Sequence, residues 1–492
     1  MKLSDLVRKS GLTPAEMRGD AEIDSISMDS RILQPGALFV CMPSKNSDSV
    51  SFIPSATSRN ASAVVVFDTR GVDAAVAANV AAIRFSNEGL AYNEALWRLC
   101  RTFYNSPTHS MKVVGVTGTN GKTTTAWLLR DMMVALGERA GYLGTLGLQV
   151  PGEERELSNT TPFAVELYEL LDEIHRKRVD SLAIEISSHA LFERRSDGIE
   201  FNAGVFTNLT QDHLDFHGSM EAYAESKHRL FTQLPAQTDK RFVAAFNIDD
   251  PVGARWSVEH NGPSVTYGLK GEADMVVRPL EVKVDRLRLK LEYRGEIEVE
   301  VPLGGNFNVS NCMSAAAGML ALGYDLGAIE KALPKVRPVP GRFEAVPNNR
   351  GIGILVDYAH TADALEKLLD SVRELKPKRV ITVFGCGGDR DRTKRPKMAR
   401  TASERSEVTI VTSDNPRTED PAAIIEEVKV GIVAGKESVA IVDRREAISH
   451  AIHLSEPGDV VVIAGKGHEN YQIIGRTKHP MDDREIAKGA LG

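Results

Sequence analysis

The fold is decided by the stretch Lys112-Val-Val-Gly-Val-Thr-Gly-Thr-Asn-Gly-Lys-Thr-Thr-Thr125. Its first half is apolar and β-branched, which predicts a buried strand, and a glycine-rich turn leads from it to a predicted helix over residues 126–135. Such a turn directs backbone N–H groups and a helix N-terminus at one point, where a phosphate chain can bind. Lys122 can neutralise phosphate oxygens there, and the Thr123 hydroxyl can ligate Mg²⁺.

The spacing of this loop departs by one residue from the common phosphate-loop pattern G-x-x-x-x-G-K-[ST]. Gly115 lies six residues before Gly121, and Val116 occupies the place of the expected glycine. The alternative is an ordinary strand-turn-helix whose glycines occur by chance. The strand, the Gly-Lys-Thr triplet and the helix all fall in place, which favours a phosphate site.

The composition is typical of a soluble globular protein of about three domains, with 492 residues, 42% hydrophobic and 26% charged. A net charge of −7 with mixed signs argues against a nucleic-acid partner. No apolar run approaches the length of a membrane span, and no signal peptide is visible, so we expect a cytoplasmic protein. The four cysteines lack metal or disulfide spacing and are expected to be buried or incidental thiols.

Two linkers rich in proline, glycine and polar residues predict three α/β domains, at 1–106, 107–337 and 338–492. The second and third domains alternate helices with strands, which predicts mostly parallel sheets. Residues 274–302 alternate with a period of two instead, which predicts an antiparallel extension of the central sheet. The C-terminal domain has the pattern of a doubly wound, Rossmann-like unit.

Polar side chains follow the predicted strands, where ligands of parallel sheets bind. Glu185 lies near the end of a strand at 181–186, and His213 follows a strand at 203–207. Glu185 and Thr123 can hold one Mg²⁺ at a phosphate chain, and His213 can join a second. Taken singly, Glu185 could be a helix cap and His213 a structural loop residue.

Three strand ends of the third domain carry arginines, aspartates, an asparagine and a glutamate, at 385–392, 413–417 and 464–469. Arginine pairs with carboxylates and acidic side chains bind ammonium groups, so this mixture predicts a zwitterionic ligand. Each segment alone would be read as a solvated loop.

These motifs together resemble the Mur ligases, the ATP-dependent amide-forming enzymes that build the peptidoglycan stem peptide, and the resemblance covers nearly the whole chain. The segments that carry it are 117–124, 159–162, 185–189, 206–215, 341–344, 357–361 and 413–417. The family's phosphate loop has the same one-residue departure in spacing.

The resemblance implies a uridine-nucleotide domain, a central ATPase domain and a C-terminal Rossmann-like domain that brings the amino acid. It implies that the protein joins meso-diaminopimelate to the D-glutamate of UDP-N-acetylmuramoyl-L-Ala-D-Glu through an acyl phosphate, with ATP as substrate and Mg²⁺ as cofactor. It also implies a cytoplasmic monomer.

Matching motifs imply the residues for each task. The catalytic residues implied are Lys122, Glu185, His213, Lys227 and Arg342. Those implied for ATP are Gly118, Thr119, Asn120, Gly121, Lys122, Thr123, Thr124, Asn308, Asn311, Arg342 and Asp357. Those implied for the UDP-muramoyl-dipeptide are Met28, Ser30, Asn159, Thr160, Thr161, Ser187, Glu193 and Arg195. Those implied for diaminopimelate are Arg390, Asp414, Asn415, Pro416, Arg417, Gly465 and Glu469.

The implied metal ligands are Thr123, Glu185, His213 and a carbamylated Lys227. The role of Lys227 comes from the resemblance alone, because its sequence context predicts an ordinary surface residue of a helix. The Asp-Asn-Pro-Arg motif at 414–417 is the family's mark for diaminopimelate rather than lysine. Arg417 can pair with the distal carboxylate of diaminopimelate, whereas it would repel the ammonium group of lysine.

The chain departs from the family pattern in three places. Glu193 stands where the family often has glutamine, residues 43–49 replace a glycine-containing pattern, and Ala362 replaces a proline. Other readings are a folylpolyglutamate synthetase, a nucleotide-switched regulator or motor, and a catalytically silent binder of UDP-sugar peptides. The N-terminal domain type and the 414–417 motif argue against the first of these.

Overall fold

The structure is a computed structural model that describes residues 1–43, 48–89 and 91–492. Part of the 43–49 loop, named above as a departure from the family, therefore lies outside the described residues. Internal contacts divide the chain into two compact units, residues 1–276 with 314–329 and residues 277–313 with 330–492. The three domain boundaries drawn from the sequence stay a prediction.

A five-stranded sheet of order β1-β5-β4-β3-β2 opens the first unit. Its strands are β1 Glu16–Arg18, β2 Ser25–Ser27, β3 Ala37–Val40, β4 Ala63–Val66 and β5 Ala81–Arg84. Its helices are α1 Leu3–Lys9, α2 Ile53–Ser58, α3 Thr69–Ala77 and α4 Ala91–Phe103. Every residue of β3 and of β4 is buried, as expected of central parallel strands.

The phosphate-loop stretch lies in a second sheet, whose parallel strands follow the order β7-β10-β6-β11-β12-β13 and whose edge carries antiparallel β8 and β9. The strands are β6 Lys112–Thr117, β7 Ala140–Gly144, β8 Gly147–Val150, β9 Glu153–Arg155, β10 Ser181–Glu185, β11 Ala203–Phe206, β12 Val243–Asn247, β13 Ser264–Gly268 and β14 Met275–Val282. The helices are α5 Lys122–Ala135, α6 Ala164–Arg176, α7 Ser188–Phe192, α8 Leu214–His217, α9 Met220–His228 and α10 Pro251–Glu259.

Helix α5 begins at Lys122, four residues before the predicted start at 126. Threonine is β-branched and a weak helix former, so the run of three threonines hides the true start. Thr124 and Thr125 are buried, and their packing outweighs that weak preference.

The later part of the period-two stretch forms the antiparallel hairpin β15 Leu287–Glu292 and β16 Glu296–Val301 in the second unit, as the alternation predicts, whereas β14 at its start pairs with β13 in parallel. Leu287, Leu289 and Leu291 are buried, whereas Arg288 between them is exposed. Helices α11 Asn306–Ala321 and α12 Leu326–Ala332 follow in the chain.

A six-stranded sheet of order β17-β18-β22-β19-β20-β21 completes the second unit. Its strands are β17 Glu344–Ala345, β18 Gly353–Asp357, β19 Val380–Cys386, β20 Val408–Ser413, β21 Glu437–Ala440 and β22 Val460–Ala464, and a separate hairpin is β23 Tyr471–Ile474 with β24 Thr477–Pro480. The helices are α13 Ala362–Glu374, α14 Lys394–Arg405, α15 Pro421–Lys429, α16 Arg444–Leu454 and α17 Asp483–Gly489.

Helices α13, α14 and α15 contribute to one apolar core of this sheet, and α16 and α17 contribute to another. The five long strands are parallel, so the predicted doubly wound, Rossmann-like arrangement is confirmed. The α/β fold class is confirmed for both units. In the part of the chain that the structure describes, no helix has the length and apolarity needed to cross a bilayer.

A buried arginine ties α14 to the loop after β20. Arg395 has no exposed side-chain surface, and its guanidinium donates to Glu419 at 2.8 and 3.0 Å and to Glu427 at 2.7 Å. The hydrogen bonds from Arg395 and from the Asp389 N–H lower the pKa of Glu419 to about 2. Because this folded-state pKa lies below the usual glutamate value, the stabilisation is present at neutral pH and is lost as the pH falls from about 4.5 to about 2.

We expect Glu419→Gln to lower the free energy of opening of α14 at neutral pH, with a difference from wild type that shrinks as the pH approaches 2. Amide hydrogen exchange of α14 at pH 7, 5 and 3 measures this. Glu426→Gln, on an exposed glutamate of α15, is the matched control and should give no such trend. A difference between wild type and Glu419→Gln that stays constant with pH would contradict the assignment.

Candidate active site

The phosphate loop connects β6 to α5, and two glycines make its shape possible. Gly118 has φ +151°, and a Cβ there would lie 1.9 Å from the Thr207 hydroxyl oxygen. Gly121 has φ +85° and precedes the first residue of α5. Only glycine fits these two positions without strain. The first turn of α5 therefore presents its N–H groups at the loop, as an anion site requires.

The loop is also fastened to the segment that follows β11. The Thr119 N–H donates to the Asn208 carbonyl at 2.8 Å, and the Asn120 N–H donates to the Asn208 side-chain oxygen at 3.0 Å. The Thr207 hydroxyl donates to the Asn120 carbonyl at 2.7 Å. Lys122 folds over the loop and donates to the carbonyls of Gly118 and Thr119 at 3.0 and 2.8 Å.

Glu185 at the end of β10 faces the start of α5, because β10 is the direct neighbour of β6. Its carboxylate is fully buried and accepts from the Thr123 hydroxyl at 2.9 Å. It also accepts from the Thr145 N–H at 2.9 Å and from the Tyr142 hydroxyl. The structure thus brings together the two residues predicted as oxygen ligands of one Mg²⁺.

Three of the residues predicted for the dipeptide, Thr160, Thr161 and Ser187, lie beside Glu185. Thr160 meets the Thr145 hydroxyl at 3.1 Å, and the Thr161 hydroxyl donates to the Glu185 carbonyl at 2.8 Å. The Ser187 N–H donates to the Thr161 hydroxyl at 3.1 Å. Residues predicted to hold a substrate and residues predicted to hold ATP therefore share one network.

Arg195 and Glu193 form an ion pair next to this network. The Arg195 Nε donates to Glu193 at 2.7 Å, and one terminal nitrogen of Arg195 donates to the Thr161 carbonyl at 3.0 Å. The guanidinium lies 4.0 Å from the centre of the Phe163 ring. Glu193 therefore orients Arg195 by a hydrogen bond between opposite charges. A glutamine at this position could accept the hydrogen bond only as a neutral group.

Lys227 of α9 is buried, with 1% of its surface exposed, and this corrects the expectation of a surface residue. Its amine donates to the Gly118 carbonyl at 2.7 Å and lies 4.4 Å from the centre of the Tyr223 ring. Burial, assisted by the charge of Lys122, holds the pKa of Lys227 well below its usual value. The sequence pattern missed this because α9 has a polar composition on several sides.

His213 precedes α8 in the left-handed region, with φ +51°, and its side chain is 45% exposed. Its ring centre lies 4.9 Å from that of His189 and 6.1 Å from that of Tyr223. Since Tyr223 also meets the Thr119 hydroxyl at 3.2 Å, His213 lies near the phosphate loop. In the described part of the chain, no group of three or more His, Cys, Asp or Glu side chains is gathered as a metal cage.

The remaining residues predicted for the muramoyl-dipeptide are Met28, Ser30 and Asn159. Met28 and the buried Ser30 follow β2 in the N-terminal sheet. Asn159 donates to the neighbouring Ser158 hydroxyl at 3.3 Å.

Four residues predicted for ATP lie in the second unit. The Asn311 amide donates to the Asn308 side-chain oxygen at 2.8 Å, and both residues are buried in α11. The Asp357 carboxylate accepts from the Phe343 N–H at 2.7 Å and from the Ala359 N–H at 2.8 Å. Burial raises the pKa of Asp357, and the charge of Arg342 opposes that effect.

The segments that follow β19, β20 and β22 come together in the second unit, because β19 lies between the other two strands. The Asn415 amide donates to the Glu469 carboxylate at 2.9 Å, and Arg417 donates to the Gly388 carbonyl at 2.8 Å. Gly465 has φ +117°, and a Cβ there would approach Asp414 to 2.9 Å.

A shallow cavity of about 430 Å³ opens beside this group, and its lining residues are Asp389, Arg390, Arg392 and Glu419. The predicted convergence of basic, amide and acidic side chains is therefore present at one edge of the sheet. The pairing of opposite charges in this group suits a ligand that carries both carboxylate and ammonium groups.

Sequence reasoning missed two supporting residues of this region. Lys466 is fully buried and donates to Asn415 at 3.1 Å and to Glu469 at 2.9 Å. Gln472 donates to the Asp414 carbonyl at 2.7 Å. A lysine between two glycines at a strand end was the available signal for Lys466, whereas Gln472 lies in a hairpin that the sequence pattern did not predict.

Known proteins are similar to this chain over its whole length. Residues 116–319 match the Mur ligase middle domain, and residues 341–467 match the Mur ligase glutamate ligase domain. The chain is 40% identical to the UDP-N-acetylmuramoyl-L-alanyl-D-glutamate–2,6-diaminopimelate ligase of Geobacillus thermodenitrificans, over 100% of this chain and 99% of that protein. It is 42% identical to the protein of the same name from Geobacter metallireducens, over 100% and 98% of the two chains.

A solved structure with that ligase name is 33% identical to this chain and has a TM-score of 0.69. The alignment covers 95% of this chain and 94% of the solved chain. Together with the matched domains and the full-length relatives, this likeness shows that the chain belongs to the Mur ligases.

Proposed function

We propose that this protein joins meso-diaminopimelate to the D-glutamate side-chain carboxylate of UDP-N-acetylmuramoyl-L-Ala-D-Glu, with conversion of ATP to ADP and phosphate. The full-length relatives that carry this ligase name support the proposal. The observation that carries it is the network at Glu185, which joins Thr123 of the phosphate loop to Thr161 and Ser187. A carboxylate bound by those two residues would lie next to a bound triphosphate.

In the proposed reaction, an oxygen of the glutamyl carboxylate attacks the γ-phosphorus of ATP, and the bond to the β-phosphate oxygen breaks to release ADP. Phosphorylation turns the carboxylate, a poor acyl donor, into an acyl phosphate with a good leaving group. The amine of diaminopimelate then attacks the acyl carbon, loses a proton and displaces phosphate. Lys122 and the N–H groups of α5 stabilise the charge that spreads over the transferred phosphoryl group.

The residues around the loop fit Mg²⁺, because a hydroxyl and a buried carboxylate are hard oxygen donors. We propose that Thr123 and Glu185 hold one Mg²⁺, that His213 and carbamylated Lys227 help to hold a second, and that Arg342 stabilises the phosphate chain. Bound Mg²⁺ would supply charge neutralisation at the phosphate oxygens. A small number of protein ligands is usual for Mg²⁺, which takes the rest of its coordination shell from water and phosphates.

The carbamate is supported by the chemistry of a buried amine. Burial disfavours the charged form of Lys227, so the neutral amine with its free electron pair is available. Addition of that amine to CO₂ forms a carbamate and releases one proton. The product is an oxygen ligand in place of a nitrogen one, which suits a hard cation.

For diaminopimelate, we propose that the residues at the ends of β19, β20 and β22 bind its free end. Arg417 and Arg390 would pair with the distal carboxylate, and Glu469 with Asn415 would receive the distal ammonium group. Asp414, Pro416 and Gly465 would shape the loop around it. A monomeric state and a cytoplasmic location stay predictions.

The reaction itself is tested by product formation. We expect ADP release only when the UDP-muramoyl-dipeptide and diaminopimelate are both present, together with a product whose mass is their sum minus water. Lysine and ornithine should give much less product. Rapid ATP hydrolysis without either substrate would support a nucleotide-switched regulator instead, and binding without turnover would support a silent binder.

Lys227→Ala should lower kcat by roughly 100- to 1,000-fold, as expected when one group that stabilises transferring charge is removed. Short carboxylic acids added to the assay should restore part of the activity. Lys240→Ala is the control, because Lys240 is a half-buried lysine of the same unit that donates to the Thr108 and Met111 carbonyls. Full activity of Lys227→Ala, or equal rescue of both variants, would remove the proposed carbamate.

Arg417→Lys should raise KM for diaminopimelate by roughly ten- to 100-fold and leave KM for ATP unchanged, because a point charge replaces a planar fork. Arg476→Lys, at the exposed turn of the β23–β24 hairpin, should behave as wild type. Steady-state kinetics with each substrate varied in turn measures both constants. An unchanged KM for diaminopimelate would show that Arg417 does not pair with the acceptor.

A further inference from the structure

The β23–β24 hairpin forms a separate two-stranded sheet, and its two strands differ in their exposure to solvent. Residues 471–473 of β23 are half-buried, whereas all of β24 is exposed. A two-stranded hairpin is marginally stable alone, so the contacts of β23 decide its position. The hydrogen bonds of Gln472 and Ile473 are made with the loop of residues 413–417.

The hairpin holds Arg417 by its backbone. The Arg417 N–H donates to the Ile473 carbonyl at 3.0 Å, and the Gly475 N–H donates to the Arg417 carbonyl at 2.7 Å. Arg417 adopts φ +52°, a left-handed conformation that is uncommon for residues other than glycine. These two hydrogen bonds therefore hold the strained backbone of Arg417 in place. They also fix the point from which its side chain extends.

The hairpin also fixes the residues just before Arg417. The Gln472 amide donates to the Asp414 carbonyl at 2.7 Å and approaches the Ser413 hydroxyl at 3.4 Å. The Ile473 N–H donates to the Asn415 side-chain oxygen at 2.8 Å. That oxygen is thereby occupied, so the amide nitrogen of Asn415 points to Glu469.

We propose that Gln472 is a positioning residue for selection of the amino acid. Through the Asp414 carbonyl it fixes the 413–417 loop, so that the Arg417 fork meets a distal carboxylate in bidentate geometry. Bidentate pairing depends on the angle of the fork as well as its distance, so a small rotation of the loop weakens it. This inference rests on the proposed function, because it assumes that diaminopimelate is the acceptor.

The test compares Gln472→Met and Gln472→Glu with wild type. Methionine keeps the length of the side chain but has no donor, and glutamate replaces the donor by an acceptor that faces the Asp414 carbonyl. The matched control is His479→Ala, because His479 is the cross-strand partner of Gln472 and is exposed. Kinetics with diaminopimelate, lysine and ATP are measured together with the melting temperature.

We expect Gln472→Met to raise KM for diaminopimelate about tenfold, which corresponds to about 1.4 kcal/mol. The preference for diaminopimelate over lysine should fall by a similar factor, because lysine has no distal carboxylate for Arg417 to pair with. KM for ATP and kcat at saturating acceptor should stay within about twofold of wild type, a split between KM and kcat that general destabilisation does not produce. The effect of Gln472→Glu should be larger, and His479→Ala should match wild type.

The proposal is overturned if Gln472→Met keeps the wild-type KM and preference, or if its only changes are in kcat and melting temperature. Should Gln472→Met fail to fold, the same constants for Gln472→Glu decide the question. Failure of the proposed function would look different, because wild type would then form no product from diaminopimelate.

Discussion

The hydrogen bond between Thr123 and Glu185 is the contact on which the arrangement of the first unit's site depends. It joins the first turn of α5 to the end of β10, two elements that meet because β6 and β10 are neighbouring parallel strands. A fully buried carboxylate is costly without partners, and Glu185 meets that cost with hydroxyl and backbone donors. The same residue presents its carbonyl to Thr161, so one short segment contacts both the phosphate loop and the residues proposed to bind the glutamyl carboxylate.

Strand-end reasoning located candidate residues in each of the two units because it needs only the alternation of strands and helices. Parallel strands place their carboxyl ends at one edge, so Thr123, Glu185 and the 413–417 loop were found from their positions after apolar runs. The same reasoning predicted the Rossmann-like sheet, because five β-branched runs separated by helical segments have few other arrangements. The predicted start of α5 is four residues too late, because helix propensity alone is a poor guide at a run of threonines.

What the sequence did not predict depends on contacts between distant segments. The Lys227 amine is buried where it donates to the Gly118 carbonyl of the phosphate loop, about a hundred residues earlier in the chain, and no spacing rule within α9 records that contact. Gln472 contacts a loop about sixty residues earlier in the chain, and its hairpin is too short to show a period. The burial of Lys466 was also not predictable, because its explanation is the pair of hydrogen bonds that its amine donates to Asn415 and Glu469.

The close fit of the phosphate loop against the segment after β11 has a consequence for nucleotide affinity. Gly118 leaves no space for a side chain beside Thr207, and hydrogen bonds within the protein hold Thr119 and Asn120 to Asn208. The conformational entropy of these residues is therefore lost during folding and not on association. A larger part of the interaction with a triphosphate then appears as affinity, since little ordering of the loop opposes it.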